Sequence, residues 1–320
     1  MPGSEVSGRS ITEPTKLSLT FTVLMFGAVL FRFFDLNNPI LIAVAALAPW
    51  FLAFGVFVTA VLHDWKLGVV AALVVGLVGV AALPGDITPR TGCDVGAGRM
   101  DDHLVIASQN VLFGSPLSAD VADQLSELEP DVVILQEAEP AFVQGVLDAL
   151  DSSFEHTHQS EFQAILSRLP LSDADQLRSD DNPVHTLLSA TATTPSGPLS
   201  LVNVHAAPPH VPGERENQRA QFVSLAEWSS EVPLLAIGDF NSVQADRAFR
   251  TLQVDGGLVD AHNEAGCGFG VTWSPVPRVG PALLGLDHAL VGQGWEADAF
   301  EILDYEGSDH KAIVVRIQPV

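Results

Sequence analysis

Short apolar runs that stop at a carboxylate, a carboxamide or an imidazole recur after residue 102, and this pattern constrains the fold more than any other feature. Residues 233–237 are apolar and lead into Asp239 and Asn241. Residues two apart on a strand share a face, so this carboxylate and carboxamide emerge together at the strand's C-terminal mouth. The pattern repeats where residues 104–111 reach Asn110, residues 132–135 reach Glu137 and residues 199–204 reach His205. Asp287 stands at the start of another such run, 286–291, and Asp309-His310 stand just before residues 312–317. Short apolar runs bounded by polar groups read as buried strands, and further strands are expected at 164–166, 186–192 and 297–303. Helical signals lie between them. Ser118 offers an N-cap, with Val121, Leu125 and Leu128 on one face before Pro130, and residues 142–150 and 214–228 have helical character. The order is that of an α/β domain with later antiparallel strands and no regular βαβ repeat.

The first part of the chain reads differently. Residues 40–62 carry no charge and are long enough to cross about 30 Å of hydrocarbon. Residues 67–83 are also uncharged, and residues 17–34 are interrupted only by Arg32, close enough to their end to snorkel. These runs predict a three-helix transmembrane anchor over 17–83, after a disordered N-terminus at 1–16. A Gly-, Pro- and Asp-rich linker at 84–102 then leads to a large domain at 103–320. Arg9 and Lys16 precede the first run and the connection 35–39 is acidic. That asymmetry predicts a multi-pass protein of the cell membrane with its large domain extracytoplasmic.

Lys+Arg of 15 against Asp+Glu of 39 gives a net charge of −24. Residues 1–85 hold Arg9, Lys16, Arg32 and Lys66 against Glu5, Glu13, Asp35 and Asp64, so the whole deficit falls after residue 85. Lys311 is the only lysine beyond Lys66. Such a surface argues against a broad nucleic-acid-binding face, which rests on Lys and Arg. It reads as the product of a salt-loving source, where dense salt screens self-repulsion; an ordinary acidic secreted domain is the alternative. Cys93 and Cys267 show no metal spacing, and either form one disulfide or remain two free thiols.

Carboxylates, carboxamides and imidazoles gathered at strand ends are what a hard divalent cation and a phosphate ester require. Read in order, Gln109-Asn110-Val111, Leu135-Gln136-Glu137, Leu166-Ser167-Arg168-Leu169-Pro170, Asn203-Val204-His205 and Gly238-Asp239-Phe240-Asn241 resemble successive motifs of the endonuclease/exonuclease/phosphatase superfamily. Thr272-Trp273, Leu286-Asp287-His288 and Ser308-Asp309-His310 continue the series. The resemblance implies a four-layer sandwich of two mixed β-sheets flanked by helices, and phosphoester hydrolysis by an activated water with Mg²⁺ or Mn²⁺. It also implies Glu137 as the principal metal ligand, with Asn110 and Asp309 in or near the metal shell. Asp239 and Asn241 would orient phosphate and water. His310, held by Asp287, would be the base or the phosphate-stabilising cation, and His205 would serve the leaving oxygen. The choice of base between His310 and Asp239 stays open. Thr272-Trp273 is either only a packed strand or, as the resemblance favours, a wall of the substrate pocket; Arg168 either binds substrate or is a structural arginine paired with an acid.

The expected anchor narrows the substrate. A membrane segment ahead of such a domain resembles the vancomycin/teicoplanin-resistance membrane proteins of the superfamily, which implies a phosphorylated or pyrophosphorylated lipid as substrate and the bilayer as partner. The alternatives are an extracellular Mg²⁺-dependent nuclease acting on nucleic acid phosphodiesters, and a non-catalytic membrane binding protein on the same fold. Tyr305 is the only tyrosine and lies outside the motif positions, so the active-site tyrosine of the abasic-site endonuclease branch has no evident counterpart.

Overall fold

The computed structural model describes residues 38, 40–44, 46, 47, 50 and 102–320, except 116–117, 180–181, 267, 276–279 and 305–306. Two six-stranded sheets make its centre. The first contains β1 (Leu104–Asn110), β2 (Val132–Gln136), β3 (His156–Gln159), β4 (Gln163–Ser167), β11 (Trp295–Leu303) and β12 (Ala312–Pro319), in the order β11-β12-β1-β2-β4-β3. The second contains β5 (Leu171–Ser179), β6 (Asn182–Thr194), β7 (Gly197–His205), β8 (Leu234–Asp239), β9 (Val259–Asp260) and β10 (Asp287–Val291), in the order β5-β6-β7-β8-β10-β9. Each sheet has one parallel pair at its heart, β1 with β2 and β7 with β8, and antiparallel neighbours outside it.

The central strands are apolar on both faces because each sheet is covered twice. Ile106, Val132, Ile134 and Ile165 meet Leu188, Leu201, Leu235 and Ile237 between the sheets. On the outer face of the first sheet, Val105, Val133, Leu135 and Val314 pack with α1 (Ser118–Leu128) and α2 (Pro140–Ala149). On the outer face of the second, Val202, Val204 and Ala236 pack with Phe222 and Leu225 of α3 (Glu214–Glu231) and with Phe249 and Leu252 of α4 (Arg247–Gly256). A short α5 (Ala261–Ala265) follows β9. Double coverage removes the period-2 alternation that a half-exposed strand would show. The fold is thus the expected mixed α/β arrangement of two sheets flanked by helices.

The membrane part of the expectation is corrected. Among the described residues no helix is long and apolar enough to cross a membrane, which takes about 20 consecutive apolar residues. The anchor, the multi-pass membrane localisation and the bilayer as partner lose their structural basis with it. Runs 17–34 and 67–83 lie outside the described residues, as do Cys93 and Cys267 with their possible disulfide, Tyr305, and nearly all of the linker 84–102. Of run 40–62, residues 40–44, 46, 47 and 50 are described and helical. Asn38 caps their start, its Oδ1 accepting from the Ile40 and Leu41 amides at 3.0 and 3.2 Å. The Trp50 indole donates to Leu283 O at 2.6 Å, tying this segment to the large domain.

Candidate active site

Strand register assembles the site. His205 ends β7 beside Asp239, which ends the parallel neighbour β8, and Asp239 pairs in turn with Asp287 at the start of antiparallel β10. Three polar side chains therefore occupy one row across adjacent strands. The first sheet meets this row from the other side: Asn110 ends β1, Glu137 follows β2 directly, and Ser308–His310 precede β12. Two backbone features turn the ends inward. Glu137 and Asn241 adopt left-handed conformations at φ 56° and 48°, uncommon for a glutamate and a mark of functional strand ends. Gly238, at φ 136°, lets β8 approach so closely that an added Cβ would lie 2.3 Å from Val204 O and 2.7 Å from Gln136 Nε2.

Asp239 Oδ2 is the hub. It accepts from Asn110 Nδ2 at 3.2 Å and Asn241 Nδ2 at 3.3 Å, and stands 3.7 Å from His310 Nε2 and 3.9 Å from His205 Nε2. Its Oδ1 accepts the Asn241 amide at 2.7 Å. Asn110 Nδ2 also donates to Glu137 Oε1 at 3.1 Å, and the Phe113 amide donates to Glu137 Oε2 at 3.0 Å. His310 Nδ1 lies 2.8 Å from Asp287 Oδ2. Thr272 Oγ1 accepts the Leu286 and Asp287 amides, and Ser308 Oγ donates to Asn110 O while accepting the His310 amide. Trp273 Nε1 donates to Asp309 Oδ2 at 3.0 Å. One ligand atom each of Asp239, Asp287 and His310 lies within 4.8 Å of the other two, which makes a candidate divalent-metal site.

Burial sharpens the electrostatics. Desolvation lifts the Asp239 carboxyl to about 7, with Asp287 and Glu137 adding repulsion and His310 opposing it. The His310 imidazolium is raised to about 10 despite burial, because Asp287 and Asp239 favour its charge. His205 goes the other way. Burial first, then the charges of His185 and His310, hold it well below the usual imidazole range. One imidazole of the site is therefore a cation at neutral pH and the other neutral.

The structure brings most of the anticipated residues together. Glu137, His205, Asp239, Asn241, Trp273, Asp309 and His310 line one cavity of about 470 Å³. Asn110 and Asp287 stand behind it through the bonds already described. Arg168 does not join them: its guanidinium bonds Asp151, Ser153 and Pro130 O and lies 4.4 Å from the Phe154 ring centroid, the structural alternative of the two. His288 is also structural, held between Asp260 and Ser242 O. Other contributors gave no signal in the sequence. His185 of β6 stacks edge-on against His205 at 4.7 Å between ring centroids. Arg247, exposed, and Ile42, Ala43, Ala46 and Leu47 also line the cavity. Those four apolar residues belong to a run read as membrane-spanning, and their contact with this cavity is long-range, invisible to a hydropathy window.

Comparison with known proteins agrees with this geometry. The family model described as Endonuclease/Exonuclease/phosphatase family matches residues 107–310. No curated protein matches in sequence. Among solved structures, an endonuclease/exonuclease/phosphatase from Beutenbergia cavernae DSM 12333 superposes with a TM-score of 0.54 at 17% identity, covering 68% of this chain and 72% of that one. Danio rerio TDP2 humanized by 14 mutations gives 0.57 at 19%, covering 68% of this chain and 100% of that one. D. rerio TDP2 complexed with single strand DNA product gives 0.53 at 20%, with coverage of 68% and 100%. At these identities the likeness is one of fold. The family model carries superfamily membership and goes no further toward a membrane-anchored branch, so the expected resemblance to the vancomycin/teicoplanin-resistance membrane proteins is corrected, and the phosphorylated-lipid substrate that rested on it falls too.

Proposed function

The chain belongs to the endonuclease/exonuclease/phosphatase family and is a metal-dependent phosphoesterase of that superfamily, and from this premise we propose that it hydrolyses phosphodiesters of nucleic acid with Mg²⁺ or Mn²⁺. The observation that carries the reading is the convergence of His205, Asp239, Asn241 and His310 on one cavity beside Glu137. The nucleic-acid assignment draws support from the TDP2 structure with a single strand DNA product, and from Arg247, an exposed guanidinium at the cavity wall suited to a second backbone phosphate. Arg215, the other arginine lining the cavity, is held in a bidentate pair with Asp246.

The donor set fits a hard divalent cation. Burial, and after it the charges of Asp287 and Glu137, raise Asp239 to about 7, and a cation among these carboxylates offsets the cost of their negative charge. Asp239, the member of the Asp239–Asp287–His310 cluster bonded to the first sheet through Asn110, would hold it with Glu137 and Asp309, which line the same cavity; Asn110 turns Nδ2 rather than its oxygen to Glu137 and Asp239, and substrate and waters would complete an oxygen shell. When bound, it supplies charge stabilisation to the phosphoryl oxygens. Everything else falls to the chain. Asp239, placed among Asn110, Asn241, His205 and His310, accepts the proton of the attacking water. Asn241 Nδ2, donating to Ala206 O and Asp239, fixes that carboxylate at the cavity wall. His310, kept cationic by Asp287, stabilises charge developing on phosphorus-bound oxygen. His205, neutral and buried, offers its imidazole to the leaving oxygen. The test is cleavage of a labelled single-stranded oligonucleotide with Mg²⁺, with Mn²⁺ and with EDTA. His310→Ala and Asp239→Asn each lower kcat by roughly 10²–10⁴; cleavage that survives EDTA, or near-normal turnover in both variants, refutes the reading.

A further inference from the structure

Phe113 is 40% exposed although it stands immediately beside the catalytic carboxylate. Its amide donates to Glu137 Oε2 at 3.0 Å. Its ring meets Phe162 edge-to-face, with centroids 5.1 Å apart and planes at 83°. Phe162 is anchored from the other side of the same residue, its carbonyl accepting the Ala138 amide at 3.0 Å. The backbones of the two phenylalanines thus bracket Glu137 and Ala138, and neither residue lines the 470 Å³ cavity. The backbone is bent to hold Phe113 out: Leu112 and Gly114 both have positive φ, 63° and 70°, and for leucine that conformation costs about 1 kcal/mol.

We propose that the Phe113–Phe162 pair is a stacking platform for an unpaired nucleobase next to the scissile phosphate, and hence that the enzyme takes single-stranded nucleic acid. This rests on the nucleic-acid reading above and deepens it. The chain carries 39 acids against 15 bases, with Lys311 the only lysine after Lys66, so backbone ion pairs supply little affinity. Base stacking on aromatic rings is independent of charge and survives high salt. A phenyl pinned by a partner ring and a backbone hydrogen bond loses little freedom when a base lands on it. A base-paired nucleotide keeps its faces inside the duplex stack and cannot use such a platform, so the pair selects unpaired strands.

The full chain with Mg²⁺ provides the test. The quantity followed is kcat/KM on a single-stranded oligonucleotide, as DNA and as RNA of one sequence, divided by kcat/KM on methyl 2,2,2-trifluoroethyl phosphate, a small diester with neither base nor aromatic ring. This ratio falls about tenfold in Phe113→Ala and in Phe113→Leu and is retained in Phe113→Trp. The leucine variant keeps the apolar bulk, so a folding defect in the alanine variant does not obscure the result. An unmoved ratio in Phe113→Leu, or an equal loss in the tryptophan variant, overturns the platform alone. An unsubstituted chain that hydrolyses the small diester yet cleaves no oligonucleotide overturns the nucleic-acid reading and the platform together. DNA against RNA preference then separates the two strand chemistries.

Discussion

Gly238 shows how one residue can carry a whole site. Its φ of 136° and the 2.3 Å and 2.7 Å approaches that a Cβ would make to Val204 O and Gln136 Nε2 leave no room for any side chain. Gly238→Ala is expected to cost about 3 kcal/mol or more from strain and overpacking together, a fall in Tm of roughly 6–12 °C for a domain of this size, read by thermal denaturation. Titration makes a second prediction at this scale. The folded-state pKa of Asp239 is raised from 3.8 to about 7, so the folded chain holds an extra proton in that interval and stability falls as pH rises through it. The folded-state pKa of His310 is raised from 6.5 to about 10; its stabilisation is complete below 6.5 and is lost as pH rises towards 10. Melting curves in EDTA between pH 6 and 10 should therefore decline, and His310→Gln should flatten the upper part of the decline. An equally steep decline in that variant would place the titration elsewhere. The identity of these residues was readable because strand-end polar groups follow apolar runs directly; their opposite electrostatics was not, because the row His205–Asp239–Asp287 arises from register between segments far apart in sequence.

At the scale of elements, a buried polar layer fastens the two sheets together just behind the site. Asn203 of β7 donates to Leu135 O at 2.8 Å and Ala164 O at 3.1 Å, and its Oδ1 accepts from Gln136 at 2.8 Å and Gln163 at 3.1 Å. Gln136 also reaches Ser108, and Thr186 donates to Gln163 Oε1. All of these side chains are fully buried or nearly so, so losing one member strands several others. Asn203→Leu should cost about 3–5 kcal/mol by denaturant titration and lower kcat, because Gln136 and Asn203 adjoin Glu137 and His205; a loss below about 1 kcal/mol would mean that water replaces the amide. The sequence marks Asn203 as part of a motif but says nothing of this cross-sheet role. Some elements escaped reading for related reasons. The edge strand β3, His156–Gln159, has no apolar signature, since two of its four residues are exposed. Helix α4 was also missed, although Asp246 caps it by accepting the Ala248 amide at 2.9 Å and Gly257 closes it at φ 60°. Its apolar face is only Phe249 and Leu252. The central strands, buried on both faces, were the most legible, because double coverage writes itself as an unbroken apolar run.

For the whole molecule the governing quantity is a net charge of −24 carried by the residues after 85. The described ion pairs do not offset it. Arg215–Asp246 at 2.6 Å is nearly buried, while Arg168–Asp151, Arg316–Asp298 and Lys311–Asp304 leave most of the acids unmatched. Salt acts unequally on these two populations: buried pairs are screened little, whereas like charges spread over the surface are separated by distances comparable to the Debye length. That length shrinks from about 8 Å at 0.15 M to about 3 Å at 1 M, so self-repulsion falls while the pairs persist. Tm should therefore rise between 0.1 and about 1 M KCl and then level off, which the source read from composition also requires. A continued rise with sulfate at equal ionic strength would report solvent exclusion from apolar surface instead, and a flat response to KCl would leave an ordinary acidic domain. The same screening weakens any phosphate-backbone attraction, so an enzyme working in strong salt must hold a nucleic acid by contacts that salt does not touch. Affinity for a single strand should accordingly decline less between 0.2 and 1 M KCl than the roughly 0.7 power of salt per phosphate neutralised that a basic groove would show, and fluorescence titration of a labelled oligonucleotide measures that slope directly.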